Sequence, residues 1–124
     1  MQVDGARSTT RSDWYREQGF PCITAPMTTL DSFLEDHKIE NIRLWKLDVE
    51  GHELAALEGA RRHLERKSIA AILIELSDVE GTQRLLGSYG YSLYQIGRRG
   101  ALEHFSDSER ACGNALALPP ESLP

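Results

Sequence analysis

The chain has 124 residues and a mass of 13.9 kDa, with 14 basic and 19 acidic side chains and a net charge of −5 at pH 7. This length allows one domain or part of one, and the net acidity argues against a nucleic-acid partner, which needs a basic surface. No apolar run reaches the roughly 18–20 residues of a membrane-spanning helix, so we expect no membrane partner. Residues 1–10 lack the apolar stretch of a signal peptide, and Cys22 and Cys112 make no disulfide framework, which favours a cytoplasmic protein.

Residues 1–21 are polar and carry no apolar period, so we interpret them as a lead-in or linker, with one helical turn predicted at residues 14–17. Residues 22–124 are then expected to form the domain. Its first predicted element is a short strand at residues 21–25. A helix follows, which Thr28 or Thr29 would cap at its amino end.

The rest of the domain alternates between apolar strands and amphipathic helices. Residues 42–49 carry apolar side chains on both faces, which is typical of a strand buried on both sides in a parallel sheet. The element order predicts an open α/β sheet with a parallel strand–helix–strand core and antiparallel strands later in the chain, and ligands bind such sheets beyond the carboxyl ends of the strands. The predicted strands are residues 42–49, 69–76, 91–96, 101–105 and 112–118, and the later helices are residues 53–66 and 78–89.

The densest cluster of ionisable groups is the segment KLDVEGHE at residues 46–53, at the end of a predicted strand and the start of a helix. Alternation along the strand puts Lys46, Asp48 and Glu50 on one side. Such a set could act as a general base, a metal site or a polar clamp. The structural alternative is that the acids only favour the helix amino terminus and that Lys46 pairs with Asp48.

Other motifs are incomplete or open to two interpretations. The chain contains no P-loop sequence, and Ala56 stands where a zinc-protease motif starting at His52 would need its second histidine. Glu75 ends the second apolar strand, where it lies either at the mouth of a cleft or beside a basic partner. His63 falls on a helical position that we interpret as exposed.

Four ordered motifs resemble the FkbM-type methyltransferases over roughly residues 28–76. They are T-L-D at residues 29–31, K-x-D-x-E-G-x-E at 46–53, L-x-G-A at 57–60 and an apolar strand ending in Glu75. Residues 112–119 resemble the last strand of that family. The resemblance implies a class I methyltransferase sheet, which is Rossmann-like, and S-adenosylmethionine as the cofactor. It also implies a small-molecule or sugar hydroxyl group as the acceptor.

The resemblance also implies roles for the residues of the central motif. Asp48 would lie near the methyl donor and the acceptor, where a carboxylate can orient or deprotonate a hydroxyl group. Gly51 allows the backbone to turn sharply after the strand. His52 occupies a variable position of the motif and is the weaker base. The implied catalytic residues are Asp48, Glu50 and His52, the implied cofactor contacts are Asp48 and Gly51, and the implied substrate contacts are Lys46, Glu53 and Glu75, with no metal.

Two features of the family have no counterpart in this sequence: the acidic, glycine-rich cofactor loop after the first strand, and the acidic residue that would bind the cofactor ribose after the second strand. The chain therefore resembles the C-terminal half of the domain, from the fourth strand onwards, and its sheet would expose an apolar edge. We expect either an N-terminal half or a second copy to complete the sheet. Two other functions stay open: a non-catalytic half-domain that acts as a binding or assembly module, and a metal-dependent hydrolase that uses Asp48, Glu50 and His52.

Overall fold

A computed structural model describes residues 17–21, 23–105 and 113–120 of the chain. These residues form an α/β fold in which one mixed sheet is combined with short helices. The helices are α1 (Leu30–Asp36), α2 (Glu53–Glu58), α3 (Arg61–Glu65) and α4 (Val79–Ser88), and a 3₁₀ turn covers Arg98–Gly100. The strands are β1 (Trp45–Leu47), β2 (Ile72–Leu76), β3 (Ser92–Ile96), β4 (Leu102–His104) and β5 (Gly113–Leu118).

The five strands lie in the order β1-β2-β5-β3-β4. Strands β1 and β2 are parallel, and α2 and α3 connect them, whereas the β2–β5, β5–β3 and β3–β4 pairs are antiparallel. The predicted parallel core followed by antiparallel strands is therefore confirmed. Because β1 and β2 run in the same direction, the residues that follow them meet at one edge of the sheet.

The core lies on one face of the sheet. Side chains of alternate residues on β1, β2, β3 and β5 point to this face and pack against apolar side chains of α2, α3 and α4. The residues of this core include Leu47, Leu57, Leu64, Ile72, Ile74, Leu86, Leu93, Ala115 and Ala117. On the opposite face Lys46 and Glu75 are exposed, and Leu73 and Leu116 are half-buried.

The prediction that residues 42–49 form a strand buried on both sides is wrong. Only Trp45–Leu47 form a strand, and Leu44 and Val49 remain 57% and 37% exposed. The physical reason is that β1 is an edge strand, which pairs with β2 alone among the described strands. Two-sided burial requires a neighbour at each edge and a layer on each face.

Two further element predictions are corrected. Pro21 and the described residues 23–25 form no strand, and Ile23 is 92% exposed, because none of the described strands lies beside them to pair with them. The helix predicted at residues 53–66 is divided into α2 and α3 at Gly59, whose carbonyl oxygen accepts a hydrogen bond from the Asp31 N–H at 2.9 Å.

Helix α4 begins as the sequence predicts. The Asp78 side chain caps it by accepting a hydrogen bond from the Gly81 N–H at 2.9 Å.

The helical turn predicted at residues 14–17 lies outside the described residues except for Glu17, and so do Cys22 and Cys112. Within the described part of the chain, no helix is long and apolar enough to cross a membrane.

Candidate functional site

The candidate site lies where β1 and β2 end. Leu47 pairs with Ile74 in the parallel register, so the next residue of each strand brings Asp48 beside Glu75. The two carboxyl groups share a hydrogen bond on the exposed face of the sheet. The structure therefore brings together two acids that stand 27 positions apart in the sequence.

The acid pair changes the acidity of Glu75. The hydrogen bond to Asp48 and the negative charge of Asp48 raise the pKa of Glu75 above its ordinary value. The charge of Glu53 adds to this rise, and the positive charge of Lys46 opposes it. Two carboxyl groups that share a hydrogen bond retain a proton more readily than one carboxyl group in water. The site can therefore hold or accept a proton.

A tight turn carries the chain from β1 into α2. Glu50 at φ 53° and Gly51 at φ 97° are consecutive residues in the left-handed region, and the His52 N–H donates to the Val49 carbonyl oxygen at 3.2 Å. A Cβ atom at Gly51 would meet nothing within 4 Å, so glycine is favoured here by its backbone conformation rather than by lack of space.

The Glu53 side chain stabilises this turn through hydrogen bonds. Its side chain is buried at 3% exposure, Oε1 accepts from the Gly51 N–H at 3.2 Å, and Oε2 accepts from the Ser77 hydroxyl at 2.8 Å. Burial acts to raise the pKa of Glu53, but the hydrogen bonds from Ser77 and from the backbone outweigh it and lower the pKa. Glu53 therefore ties the loop after β1 to the end of β2, which the sequence did not indicate.

A cavity of about 800 Å³ opens beside β1, between α1 and α2. Its wall is mainly apolar, and Lys46, Asp48 and His52 are its charged or titratable members. Of the other residues predicted for the site, Glu50, Gly51, Glu53 and Glu75 lie outside the wall. The apolar part of the wall includes Met27, Leu30, Phe33, Trp45, Val49 and Ala55.

The geometry gives no support to the metal-hydrolase alternative. Among the described residues, no group of three or more histidine, cysteine, aspartate or glutamate side chains is arranged to hold a metal ion. His52 lines the cavity, but Glu50 does not.

Sequence reasoning missed a second polar centre, which is buried between α1 and α3. The Asp31 carboxylate accepts hydrogen bonds from the backbone N–H groups of Arg62 and His63 at 3.0 and 3.2 Å. It thereby caps α3, whose own N-cap residue, Ala60, has no side chain that could do so. The interpretation of His63 as exposed is wrong, because the residue is 1% exposed and its side chain is bonded to Asp31.

The same centre explains two of the family-like motifs. Thr29 caps α1 by accepting from the Ser32 N–H at 3.1 Å. A Cβ atom at Gly59 would lie 3.2 Å from Thr29 Cβ, which is closer than ordinary packing allows. The T-L-D and L-x-G-A motifs therefore contact each other, and this close approach favours glycine at position 59.

The parallel strand pair, the acids at its carboxyl ends and the adjacent apolar cavity define an α/β domain of the class that binds small ligands beyond its strand ends. A family model described as the methyltransferase FkbM domain matches residues 2–106. The chain belongs to this family, as the four motifs predicted. No individual curated protein and no solved structure matched the chain in the corresponding comparisons.

Proposed function

We propose that this chain acts in the transfer of a methyl group from S-adenosylmethionine to a hydroxyl oxygen of a small molecule or sugar. The observation that carries the proposal is the position of the central family motif. Its Asp48 lies at the carboxyl end of β1 and in the wall of the 800 Å³ cavity. The cytoplasmic location predicted from the sequence is part of the same proposal.

The chemistry of the wall is compatible with the proposed cofactor. The Asp48 carboxylate in the wall suits its positive charge, and the apolar wall beside Trp45 suits a planar base. Asp48 and Gly51 are the proposed cofactor contacts, and the open space around Gly51 leaves its backbone accessible to a ligand. The glycine-rich loop that adds to cofactor affinity in such domains does not occur in the sequence, so we propose that this chain alone binds the cofactor weakly and that another polypeptide segment completes the site.

Asp48 is the proposed general base. When bound, S-adenosylmethionine supplies an electrophilic methyl group attached to a sulfonium ion. Asp48 would take the proton of the acceptor hydroxyl as the oxygen–carbon bond forms and the bond between the methyl carbon and the sulfonium sulfur breaks, which leaves a neutral thioether. A hydroxyl group needs such help because it is a weak nucleophile while protonated. Glu75 orients the Asp48 carboxylate through their shared hydrogen bond.

The remaining predicted residues have supporting roles in this proposal. Lys46 contacts the acceptor oxygen or its neighbours from the cavity wall. His52, in the same wall, and Glu50, in the turn before it, are secondary proton acceptors. Glu53 contributes to the proposed substrate site indirectly, because it stabilises the turn after β1. Its Oε1 accepts a hydrogen bond from the Gly51 N–H and its Oε2 accepts one from the Ser77 hydroxyl.

The test measures cofactor binding and methyl transfer by the purified chain. Calorimetry with S-adenosylmethionine is compared for the wild type, Asp48→Asn and Glu58→Gln, the last being an exposed control on α2. We expect Asp48→Asn to weaken binding about tenfold, the loss of one charged contact, and Glu58→Gln to leave it unchanged. Equal binding by all three proteins, or no binding by the wild type, would contradict the proposal.

The second candidate function is a non-catalytic binding or assembly module. It is favoured by the open edge of β1 and by the 57% exposure of Leu44 beside it. A partner chain that binds this edge without any methyl transfer by the complex would support this function over the first.

A further inference from the structure

The sheet holds the two acids of the candidate site to different extents. Glu75 is a ladder residue of β2 and is paired with Asn114 of β5. The ladder between β1 and β2 ends at Leu47. Asp48 therefore lies beyond the last paired residue of its strand, and its position depends on the turn that follows it.

That turn is bonded to the end of β2 through one buried side chain. Glu53 Oε1 accepts from the Gly51 N–H at 3.2 Å, and Glu53 Oε2 accepts from the Ser77 hydroxyl at 2.8 Å. Gly51 comes three residues after Asp48, and Ser77 comes two residues after Glu75. These two hydrogen bonds form a bridge, which we call the strand-end bridge, just beyond the two acids.

Ser77 is the member of the bridge that connects it to β2. Burial acts to raise the pKa of Glu53, but hydrogen bonds from Ser77 and from the backbone N–H groups of Glu53 itself, Gly51 and Val49 outweigh burial and lower it. The backbone donors belong to residues 49–53, which follow Asp48 directly. Without the Ser77 hydroxyl, the Glu53 carboxylate stays bonded to its own loop but loses this bond to the end of β2.

We propose that Ser77 is a positioning residue of the candidate site. Its hydroxyl holds Glu53, and with it the loop after β1, at the end of β2, and thereby keeps Asp48 within hydrogen-bond distance of Glu75. The catalytic consequence, which is a correctly oriented base, rests on the proposed function. The positioning itself does not, because the two acids share their hydrogen bond without cofactor or acceptor.

The exposure of Ser77 separates this role from a role in core packing. Ser77 is exposed, whereas Glu53 is 3% exposed, so removing the serine hydroxyl leaves no cavity in the core. Threonine at this position keeps a hydroxyl donor, and alanine does not. Ser77→Ala therefore removes one donor from the strand-end bridge and leaves the carboxylate of Glu53 in place.

The test is NMR titration of the Glu75 carboxyl carbon in the full chain without cofactor. We expect Ser77→Ala to lower the pKa of Glu75 toward its ordinary value, because Asp48 is then free to move away. Ser77→Thr should keep the wild-type pKa. Hydrogen exchange of the Gly51 amide should be about three- to tenfold faster in Ser77→Ala, because the freed carboxylate protects this amide less.

A second background separates position from charge. Glu53→Gln removes the charge but can keep the bridge, because its amide oxygen can accept from the Gly51 N–H and its amide nitrogen can donate to the Ser77 oxygen. We expect Ser77→Ala to lower the pKa of Glu75 in this background as well. The matched control is Ser88→Ala, which removes an exposed hydroxyl that donates to a backbone carbonyl of α4, and it should change neither measurement.

The proposal is contradicted if Ser77→Ala leaves the pKa of Glu75 or the exchange of Gly51 unchanged, or if Ser77→Thr or Ser88→Ala lowers that pKa equally. An effect of Ser77→Ala that disappears in Glu53→Gln would also contradict it, because the hydroxyl would then act through the charge of Glu53. Calorimetry with S-adenosylmethionine tests the proposed function separately. A chain that binds no cofactor but shows the expected shifts would support the role of Ser77 and contradict the methyl-transfer proposal.

Discussion

Asp31 and His63 form a buried pair in which Asp31 Oδ1 lies 2.5 Å from His63 Nδ1. Arg66 Nη2 lies 3.3 Å from His63 Nε2, and because arginine can only donate, Nε2 is assigned as the acceptor. The hydrogen on Nδ1 therefore points to Asp31. This pair joins α1 to the first turn of α3, and α3 leads into β2 at the candidate site.

Replacing Asp31 by asparagine should destabilise the fold. The residue is 4% exposed and its side chain accepts three hydrogen bonds from Arg62 and His63, so the variant leaves buried donors poorly paired. We expect a loss of about 2–4 kcal/mol in the free energy of unfolding, measured by urea denaturation. Asp36→Asn, at an exposed position of the same helix, is the control and should change the stability little.

Stability should fall in acid because of Asp31 and Glu53. The hydrogen bonds to each carboxylate outweigh the effect of burial and lower both pKa values below the ordinary 3.8 and 4.5. A lowered pKa means that the stabilisation is fully present above the ordinary pKa and is lost as pH falls through the folded-state pKa. Urea midpoints measured below pH 5 should decline less steeply in Asp31→Asn/Glu53→Gln than in the wild type. If the urea midpoint fell equally steeply with pH in both proteins, the assignment of the acid sensitivity to Asp31 and Glu53 would be contradicted.

The pKa of Glu75 should respond to Asp48. Since the hydrogen bond and the charge of Asp48 raise the pKa of Glu75, Asp48→Asn should lower this pKa toward its ordinary value. Lys46→Met should raise the pKa further, because it removes a positive charge. A raised pKa means that the folded state binds the Glu75 proton more tightly than the unfolded state does. This contribution to stability is fully present below the ordinary pKa and is lost as pH rises through the folded-state pKa. Titration of the Glu75 carboxyl carbon by NMR measures both shifts, and an unchanged value in Asp48→Asn would contradict the shared hydrogen bond.

Two glycine substitutions should have opposite effects. Gly59→Ala would place a methyl group 3.2 Å from Thr29 Cβ, and Thr29 is held by its bond to Ser32, so we expect a loss of about 1 kcal/mol. Gly87→Ala meets nothing within 4 Å on the exposed side of α4 and should gain about 0.5–1 kcal/mol through helix propensity. Thermal unfolding of both variants tests the contrast, and a stabilised Gly59→Ala would show that Thr29 can move aside.

Local sequence patterns predicted most of the element types and the place of the acidic motif at the end of β1. The apolar run that contains β2, the caps at Thr29 and Asp78, and the acids after β1 are visible within a few residues of the chain. These features depend on backbone propensity and on alternation, which act over short distances. The family motifs were recognisable for the same reason.

Other features depend on residues that are distant in sequence. Nothing near His63 indicates that Asp31, 32 positions earlier, would bury it and cap α3. The division of the long helix at Gly59 and the exposure of Leu44 likewise depend on which elements pack around them.

The sequence by itself determined the α/β class, the family and the place of the acidic motif at a strand end. Only the tertiary structure decided that Asp48 pairs with Glu75, that Glu53 is enclosed by Gly51 and Ser77, and that β1 is an edge. The reason is that burial, shared protons and open edges are properties of neighbouring elements in space, and local propensity carries no information about those neighbours.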